Sequence, residues 1–341
     1  MTLVQFQVQR AIQPYQQTDV IQKTEFLEQP VYQLTGHSGA INECHFSLDG
    51  KILATVAGEV ILWSVGSKVE SIGALRPHKS PITSLSWSID GSKFATSSAD
   101  QTVAVQDTLT GKVERRFKNT ENRNKNHISA IVNTVCFSRE NPNVVISGDD
   151  DGNIFANDLR ASGPIAHRKS NSPITSIAIN NNRIAVAGVC GSIFIDTISG
   201  NQFKMDQRLE PQENSLIYGI AIEPTGRYLA ANDSNGVLTI FNILDFYHQK
   251  NRIISQASNG TPTKEIVPPR TAWSPDGHYV MSGSTDRLLR IWDVEAITSP
   301  MLVYQLPGHT GTVTGCDFHP SLPIVVSGST DGTVIVGELG K

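Results

Sequence analysis

Histidine, aspartate and serine or threonine side chains recur along this chain in sets that could do nucleophilic chemistry. His78, Thr96 and Asp100 form one such set, and a second set of the same kind lies near the C-terminus. A base and an acid of these types can activate a hydroxyl group when the three side chains meet. A catalytic site is built once, however, whereas these sets recur along the chain. We therefore interpret them as parts of a repeated scaffold.

Other site chemistry is absent from the sequence. No GxSxG, phosphate-binding loop, HExxH or dinucleotide-binding glycine pattern occurs. The run 149–153 weakly resembles a calcium loop, but Ile154 lies where that loop needs glycine, and a turn between strands is the better interpretation. The cysteines lack zinc spacing and are typical of buried thiols in a reducing compartment. We expect no catalytic residue, metal or cofactor, and no small-molecule substrate.

Composition limits the classes of partner. The chain has 341 residues, of which 18% are charged, and a net charge of -4. It therefore lacks the overall basic field that non-specific nucleic-acid binding needs, and any contact with RNA would have to be local. We also expect no signal peptide and no membrane span, since no apolar run is long enough.

A unit of three short strands is repeated along the chain. Residues 272–294 show it most clearly, with turns at 275–277 and 284–286 between apolar segments. An aromatic or aliphatic residue precedes the first turn of each copy, and these residues lie 41 to 51 positions apart. They are Phe46, Trp87, Phe137, Ile179, Ile222, Trp273 and Phe318. Three short strands cannot bury a face alone, so the seven units must pack against one another.

The period, the Gly-His pairs at 36–37 and 308–309 and the Trp292-Asp293 pair resemble the WD40 repeat. Seven such repeats imply an all-β, seven-bladed WD40 β-propeller over residues 31–341, as one closed domain. In that family a turn histidine, an aspartate, a strand serine or threonine and a tryptophan form a hydrogen-bonded network within each blade.

The resemblance assigns a structural network to five blades, of which none has the full set. Blade one lacks the aspartate, and blades four and five have Ile195 and Phe241 in the tryptophan place and no histidine, so packing must hold them. The assigned residues are His37, Thr55 and Trp63 in blade one; His78, Thr96 and Asp100 in blade two, with Gln106 in the tryptophan place; His127, Ser147 and Asp151 in blade three, with Asn157; Ser282, Asp286 and Trp292 in blade six; and His309, Ser327 and Asp331 in blade seven, with Gly337.

A duplicated segment predicts how the ring closes. Residues 31–37 nearly repeat residues 303–309, which should be the outer strand of blade six and the entry to blade seven. The first copy should therefore be an outer strand as well, and blade seven otherwise ends one strand short at Leu339. We predict that this N-terminal strand completes blade seven, because closure removes the free edges of an open array.

Residues 1–30 stand outside the repeats. They are rich in glutamine, with scattered apolar residues that alternate over Val4, Phe6 and Val8. We expect an N-terminal extension that is either partly disordered, or ordered by a partner or by lying on the side of the propeller.

Basic residues are concentrated in the extended connection between blades two and three and near the next blade junction. They could bind phosphate or an acidic partner surface, although a solvated loop is the simpler interpretation, because Phe117 is the only aromatic residue near them. The candidate patch consists of Arg115, Arg116, Lys118, Arg123, Lys125, Arg168 and Lys169, with Arg160 nearby.

The last third of the chain permits a closer resemblance. Residues 306–311, 318–320 and 327–331, with a final Gly337-Glu338 in place of Trp-Asp, are similar to the family of WD40 proteins of the U5 small nuclear ribonucleoprotein. This resemblance implies a nuclear, non-catalytic scaffold for pre-mRNA splicing, docked on the large U5 core protein with other spliceosome subunits as partners. The alternatives are a WD40 scaffold of a 3′-end processing, chromatin or ubiquitin-ligase complex, and an enzyme such as a propeller hydrolase.

Overall fold

Within the residues that the computed structural model describes, twenty-eight β-strands form seven four-stranded antiparallel sheets. The structure describes residues 25–118, 130–199, 202–211, 215–244, 252–256, 269–294 and 300–340. Each sheet is one blade of a β-propeller, which confirms the predicted fold class and blade number. These ranges contain no helix, and hence none long and apolar enough to cross a membrane.

Blades one to six each use four consecutive strands, of which the first is innermost and the last is outermost. Blade one has β2 (Glu43–Phe46), β3 (Ile52–Val56), β4 (Val60–Val65) and β5 (Val69–Leu75); blade two has β6 (Ile82–Trp87), β7 (Lys93–Ser98), β8 (Thr102–Asp107) and β9 (Val113–Lys118); blade three has β10 (Val132–Phe137), β11 (Val144–Asp149), β12 (Asn153–Asp158) and β13 (Pro164–Lys169). Blade four has β14 (Ile174–Asn180), β15 (Arg183–Gly188), β16 (Ile193–Ser199) and β17 (Gln202–Leu209); blade five has β18 (Ile217–Ile222), β19 (Tyr228–Asp233), β20 (Val237–Asn242) and β21 (Arg252–Gln256); blade six has β22 (Thr271–Trp273), β23 (Tyr279–Ser282), β24 (Leu289–Asp293) and β25 (Met301–Leu306).

Blade seven combines both ends of the chain. Its inner strands are β26 (Val313–Phe318), β27 (Ile324–Ser329) and β28 (Val334–Glu338), and its outer strand is β1 (Val31–Leu34). β1 and β28 run antiparallel, with Val31 opposite Gly337 and Leu34 opposite Val334. This pairing confirms the predicted closure of the ring by an N-terminal strand.

The core lies in layers between neighbouring blades. The aromatic and aliphatic residues that revealed the repeat all lie on innermost strands, where Phe46 and Phe137 are 5% and 1% exposed. One layer joins Leu53 and Trp63 of blade one to Val326 and Val336 of blade seven. Burial of one such side chain stabilises the fold by about 1.5–3 kcal/mol. Each blade therefore depends on its neighbours for stability.

A belt of hydrogen bonds from side chains to backbone carbonyls links the innermost strands around the ring. An apolar residue stands at or just before the start of each inner strand, and the donor is the residue directly after it. The donor side chain reaches the backbone carbonyl of the equivalent apolar residue in the next blade. The bonds run from Asn42 to Ile82 (2.6 Å), Thr83 to Val132 (2.5 Å), Asn133 to Ile174 (2.9 Å), Thr175 to Ile217 (2.6 Å) and Thr314 to Ile41 (2.5 Å). Tyr218 and Pro269 hold the equivalent places in blades five and six.

The packed chain begins before residue 31, where the sequence placed the domain boundary. The Glu338 carboxylate accepts hydrogen bonds from the backbone N–H groups of Glu25, Phe26 and Leu27 at 2.8, 3.2 and 2.9 Å. Leu27 is only 2% exposed and packs in the layer between blades seven and one. The Gly-Glu end of the last blade thus anchors the chain just ahead of β1. Residues 1–24 of the expected extension lie outside the described residues.

Deletion of residues 29–35 should lower the melting temperature of the entire ring. The deletion removes buried Val31, Tyr32 and Leu34, each of which contributes about 1.5–3 kcal/mol of unfolding free energy. Calorimetry measures the effect, and a chain that lacks only residues 1–24 is the control. A loss of structure confined to the N-terminus, with an unchanged main transition, would contradict closure as the stabilising contact.

Candidate interaction site

Blade one holds a buried polar network centred on Thr55. The Thr55 Oγ1 atom lies 2.7 Å from His37 Nε2 and accepts a hydrogen bond from Trp63 Nε1 at 2.9 Å. On the other side of the imidazole, Nδ1 lies 3.4 Å from Glu59 Oε1. Glu59 is 6% exposed and takes the place of the aspartate that the sequence lacks. The sequence signal for this replacement was Glu59 itself, an acidic residue directly after Gly58 in a turn that is shorter than in the other blades.

Blade two has the same arrangement with an aspartate. His78 Nδ1 lies 3.0 Å from Asp100 Oδ2, and Nε2 lies 2.9 Å from Thr96 Oγ1. The Gln106 side-chain amide lies 2.9 Å from Thr96 Oγ1, in the place that the Trp63 indole takes beside Thr55, and its oxygen accepts a hydrogen bond from the Thr96 hydroxyl. Burial lowers the pKa of His78, although Asp100 acts in the opposite direction.

Blade seven repeats the network without a tryptophan. His309 Nε2 lies 2.9 Å from Ser327 Oγ, and Nδ1 lies 3.4 Å from Asp331 Oδ2. Burial would raise the pKa of Asp331, but hydrogen bonds from His309, Thr333 and the backbone outweigh it and hold that pKa well below its usual range. Gly337 occupies the tryptophan place.

Blade three departs from the assignment. Asp149 is fully buried and accepts a hydrogen bond from the Asn153 backbone N–H at 2.8 Å, whereas Asp151 is exposed. Asp149 is the last residue of β11 and is paired with Val132, so its carboxylate lies inside the blade. The buried acid at this turn of the blade is therefore Asp149 and not the predicted Asp151. Ser147 is buried, and His127 lies outside the described residues.

In blade six the three assigned residues take other roles. Ser282 Oγ accepts a hydrogen bond from Asn232 Nδ2 of blade five at 2.8 Å and donates to the Gly283 carbonyl at 2.9 Å. Asp286 pairs with Arg290, whose Nη1 atom lies 3.0 Å from Oδ1. Trp292 is 1% exposed and packs between blades five and six. Ser282 therefore links two blades.

A charged cluster crosses the centre of the ring, and the repeat pattern gave no sign of it. Arg270 enters from blade six; its Nε atom lies 3.4 Å from Glu43 Oε1 of blade one, and Nη1 donates to the Thr175 carbonyl of blade four at 3.1 Å. Glu43 Oε2 also accepts a hydrogen bond from the Leu85 N–H at 2.6 Å. One guanidinium thus connects three blades across the channel. The sequence signal was a charged residue at or directly before the start of an inner strand, Glu43 in β2 and Arg270 ahead of β22.

His45 and Asp317 extend this cluster on the inner strands of blades one and seven. His45 Nδ1 lies 3.3 Å from Asp317 Oδ2, and Nε2 lies 3.7 Å from Glu43 Oε1. Burial works against the charged imidazole, but the hydrogen bonds and charges of the two carboxylates outweigh it and raise the pKa of His45 to about 10. For Glu43, burial is likewise outweighed, by Arg270 and His45, and its pKa falls to about 2.

The structure divides the predicted basic patch. Arg115 Nη2 donates to the Ala161 carbonyl at 2.6 Å, and Arg116 donates to the Pro77 carbonyl at 2.5 Å and to Thr102 Oγ1 at 3.0 Å. Arg168 Nη2 lies 2.8 Å from Oδ2 of the fully buried Asp196, whose pKa is raised to about 6 by burial although Arg168 opposes the shift. Three of the predicted cations therefore serve contacts within the chain.

Lys118 and Lys169 are the other two patch residues that the structure describes, and both are exposed, as Arg116 is. Lys118 is paired with Thr102 in blade two, and Lys169 is paired with Asn153 in blade three. The two lysines therefore lie at equivalent ends of the outer strands of these blades. Nearby Arg160 pairs with Asp158 at 2.7 Å. Arg123 and Lys125 lie outside the described residues.

The four cysteines are free thiols, and Cys44 and Cys316 are buried. Burial raises the pKa of both thiols. In the part of the chain that the structure describes, no group of three or more histidine, cysteine, aspartate or glutamate side chains is placed to hold a metal ion.

Five segments of the chain match a known family of repeats. The family described as "WD domain, G-beta repeat" matches residues 28–64, 69–107, 120–155, 270–293 and 300–336, which belong to blades one, two, three, six and seven. The unmatched blades four and five lack both the network histidine and the tryptophan, whereas the matched blade six lacks the histidine but keeps Trp292.

Longer similarities span almost the whole chain. The "U5 small nuclear ribonucleoprotein 40 kDa protein" of Dictyostelium discoideum is 30% identical over 93% of this chain and 87% of its own length. The Homo sapiens protein of the same name is 28% identical over 92% and 85%. "Pre-mRNA-splicing factor cwf17" of Schizosaccharomyces pombe is 27% identical over 94% and 91%.

Replacement of Thr55 by valine should lower the free energy of unfolding by about 1–3 kcal/mol, because the Trp63 and His37 ring nitrogens lose their buried partner. Urea unfolding measures the change. Thr55→Ser keeps the hydroxyl and should cost only about 0.8 kcal/mol for the lost methyl group. Equal losses in the two variants would show that the hydrogen bonds contribute nothing.

Replacement of His45 by glutamine should destabilise the protein at pH 7 and have little effect above pH 10. The pKa of His45 is raised in the folded state, so its contribution is complete below the ordinary value of 6.5 and is lost as the pH rises through about 10. Urea unfolding of wild type and variant at several pH values tests this, with exposed His278→Gln as the control. A difference between wild type and variant that stays constant with pH would contradict it.

Proposed function

This chain belongs to the WD40-repeat family, and we propose that it is a non-catalytic interaction scaffold of the U5 small nuclear ribonucleoprotein in pre-mRNA splicing. The observation that carries the proposal is the extent of the similarity to relatives with U5 and splicing names. It covers more than nine-tenths of the chain, and so it extends through the eroded blades four and five that the repeat family does not match.

The histidine and hydroxyl side chains of the blade networks are hydrogen-bonded inside the blades, which supports a scaffold role. Ser327 and His309 are 5% and 8% exposed and are hydrogen-bonded to each other inside blade seven. The sets in blades one and two are bonded in the same way, and so the hydroxyl groups hold strands together. Residues of the kind used in catalytic triads are thus committed to the blades.

Partner binding in the nucleus is the second part of the proposal, with the large U5 core protein as the docking platform and other spliceosome subunits as neighbours. Exposed apolar side chains on one face of the ring support it. Leu48 and Ile89 lie in equivalent turns of blades one and two and are 39% and 43% exposed, and Leu109 in a turn at the same end of blade two is 94% exposed. Adjacent exposed apolar side chains are typical of protein interfaces.

A local RNA contact at the blade two and three junction completes the proposal. Lys118 and Lys169 are exposed at equivalent ends of the outer strands of blades two and three. Because the net charge is -4, such a contact must rest on local basic residues.

Purification of the tagged chain from nuclear extract should recover U5 RNA and the large U5 core protein in stable association. Mass spectrometry and RNA sequencing identify what is recovered. The double variant Leu48→Asp/Ile89→Asp should reduce recovery of the core protein at least tenfold, whereas Met205→Asp, on the outer strand of blade four and 52% exposed, should not.

Ultraviolet crosslinking of the same material tests the RNA contact. The double variant Lys118→Glu/Lys169→Glu should lose the crosslinks to RNA. The control variant Lys51→Glu, which changes a lysine whose side chain is 80% exposed, should retain them. Recovery of a 3′-end processing, chromatin or ubiquitin-ligase complex in place of U5 would refute the splicing assignment. A turnover by the pure protein that one point substitution abolishes would refute the non-catalytic assignment.

A further inference from the structure

A small pocket, partly open to solvent, lies between the outer parts of blades six and seven. Its walls are mostly apolar, and Ser327 and Glu338 are the polar residues among them. Leu289 and Leu306 of blade six and Val325, Ser327, Ile335 and Leu339 of blade seven are among the lining residues.

The pocket exists because blade seven has glycine where the repeat has tryptophan. Strand register places Gly337 opposite Val325, just as Trp63 lies opposite Leu53 in blade one and Trp292 opposite Val280 in blade six. Gly337 itself lines the pocket and contributes no side chain to it. The cavity therefore occupies the place of the missing ring.

Blade one shows what that place is shaped to hold. Trp63 is 4% exposed and packs in one cluster with Leu34, Leu53 and Ile61. By register and by the duplicated segments 31–37 and 303–309, the corresponding walls in blade seven are Leu306, Val325 and Ile335. All three line the pocket. The apolar cage of an indole ring is thus present in blade seven without the ring.

The polar contact of the indole is present as well. In blade one, Thr55 Oγ1 contacts His37 Nε2 at 2.7 Å and also accepts the Trp63 Nε1–H at 2.9 Å. In blade seven, Ser327 Oγ contacts His309 Nε2 at 2.9 Å in the same way. A hydroxyl oxygen has two acceptor positions and one donor hydrogen, so Ser327 can accept a further N–H in the pocket.

We propose that this pocket binds the side chain of a tryptophan presented by a partner protein, with the indole N–H donated to Ser327 Oγ. The partner's ring would complete blade seven as Trp63 completes blade one. Buried aromatic side chains that fill a pocket carry a large share of interface energy. The proposal goes beyond the splicing assignment, because it concerns a contact that the ring offers in any complex.

Titration of the pure full-length chain with N-acetyl-tryptophanamide tests the pocket directly. In methyl NMR spectra we expect saturable shifts at Leu306, Val325 and Ile335 at about millimolar ligand, and none at Ile61, where Trp63 already fills the place. The benzothienyl analogue, in which sulfur replaces the N–H, should bind several-fold more weakly because it cannot donate to Ser327. Absence of shifts at the pocket methyls would overturn the proposal. Equally tight binding of N-acetyl-leucinamide would overturn the choice of an indole.

The variant Gly337→Trp provides a test that needs no ligand. A Cβ at residue 337 would meet only the Pro30 carbonyl and Val31 Cγ2, both at an ordinary 3.9 Å, so the backbone accepts a side chain there. Filling the pocket from within should raise the melting temperature above that of Gly337→Ala, which leaves the pocket open, and should abolish the ligand shifts. A tryptophan variant that melts below the alanine variant would show that the cage does not fit an indole.

These outcomes are separable from the splicing proposal. Pocket methyls that fail to respond, in a chain that still recovers U5 RNA, would refute the pocket alone. A full response in a chain that recovers a different complex would refute the splicing assignment alone.

Discussion

The pairing of β1 with β28 decides whether this chain is a ring or an open row of blades. A four-stranded blade is apolar on both sides, and each side is covered only by the next blade. Without β1, the layer that contains Leu34, Leu53 and Trp63 would lose one wall, and β28 would present a free edge. The Glu338 carboxylate and the burial of Leu27 hold the chain in place just ahead of this contact.

Closure explains why the repeats tolerate erosion. Blades four and five lack the histidine network, yet Ile195 and Phe241 fill the tryptophan place and share one apolar layer. The belt of inner-strand hydrogen bonds still passes through Thr175. Blade six has an inner strand of only three residues, and there Arg270 reaches to blades one and four. In a ring, an element that is weak in one blade can be supported by its neighbours.

Local repeats predicted the blades, their number and the closing strand, because strand period and turn chemistry are written within each copy. The same reasoning missed contacts that the ring brings together. Arg168 was assigned to a surface patch, but its partner Asp196 lies in the next blade. Arg270 and Glu43 are far apart in sequence and follow no period. In blade three, three consecutive aspartates left the buried one undetermined until pairing with Val132 placed Asp149 inside.

The meeting of the two chain ends in blade seven has a consequence for biosynthesis. β1 leaves the ribosome first and its partner β28 last, about 300 residues later, which at roughly 5–20 residues per second is a delay of about 15–60 s. During that interval the first strand has no mate, and its apolar side chains need protection from aggregation. A product of premature termination can never acquire the mate. Ring closure therefore distinguishes a finished polypeptide from a truncated one before it reaches any assembly.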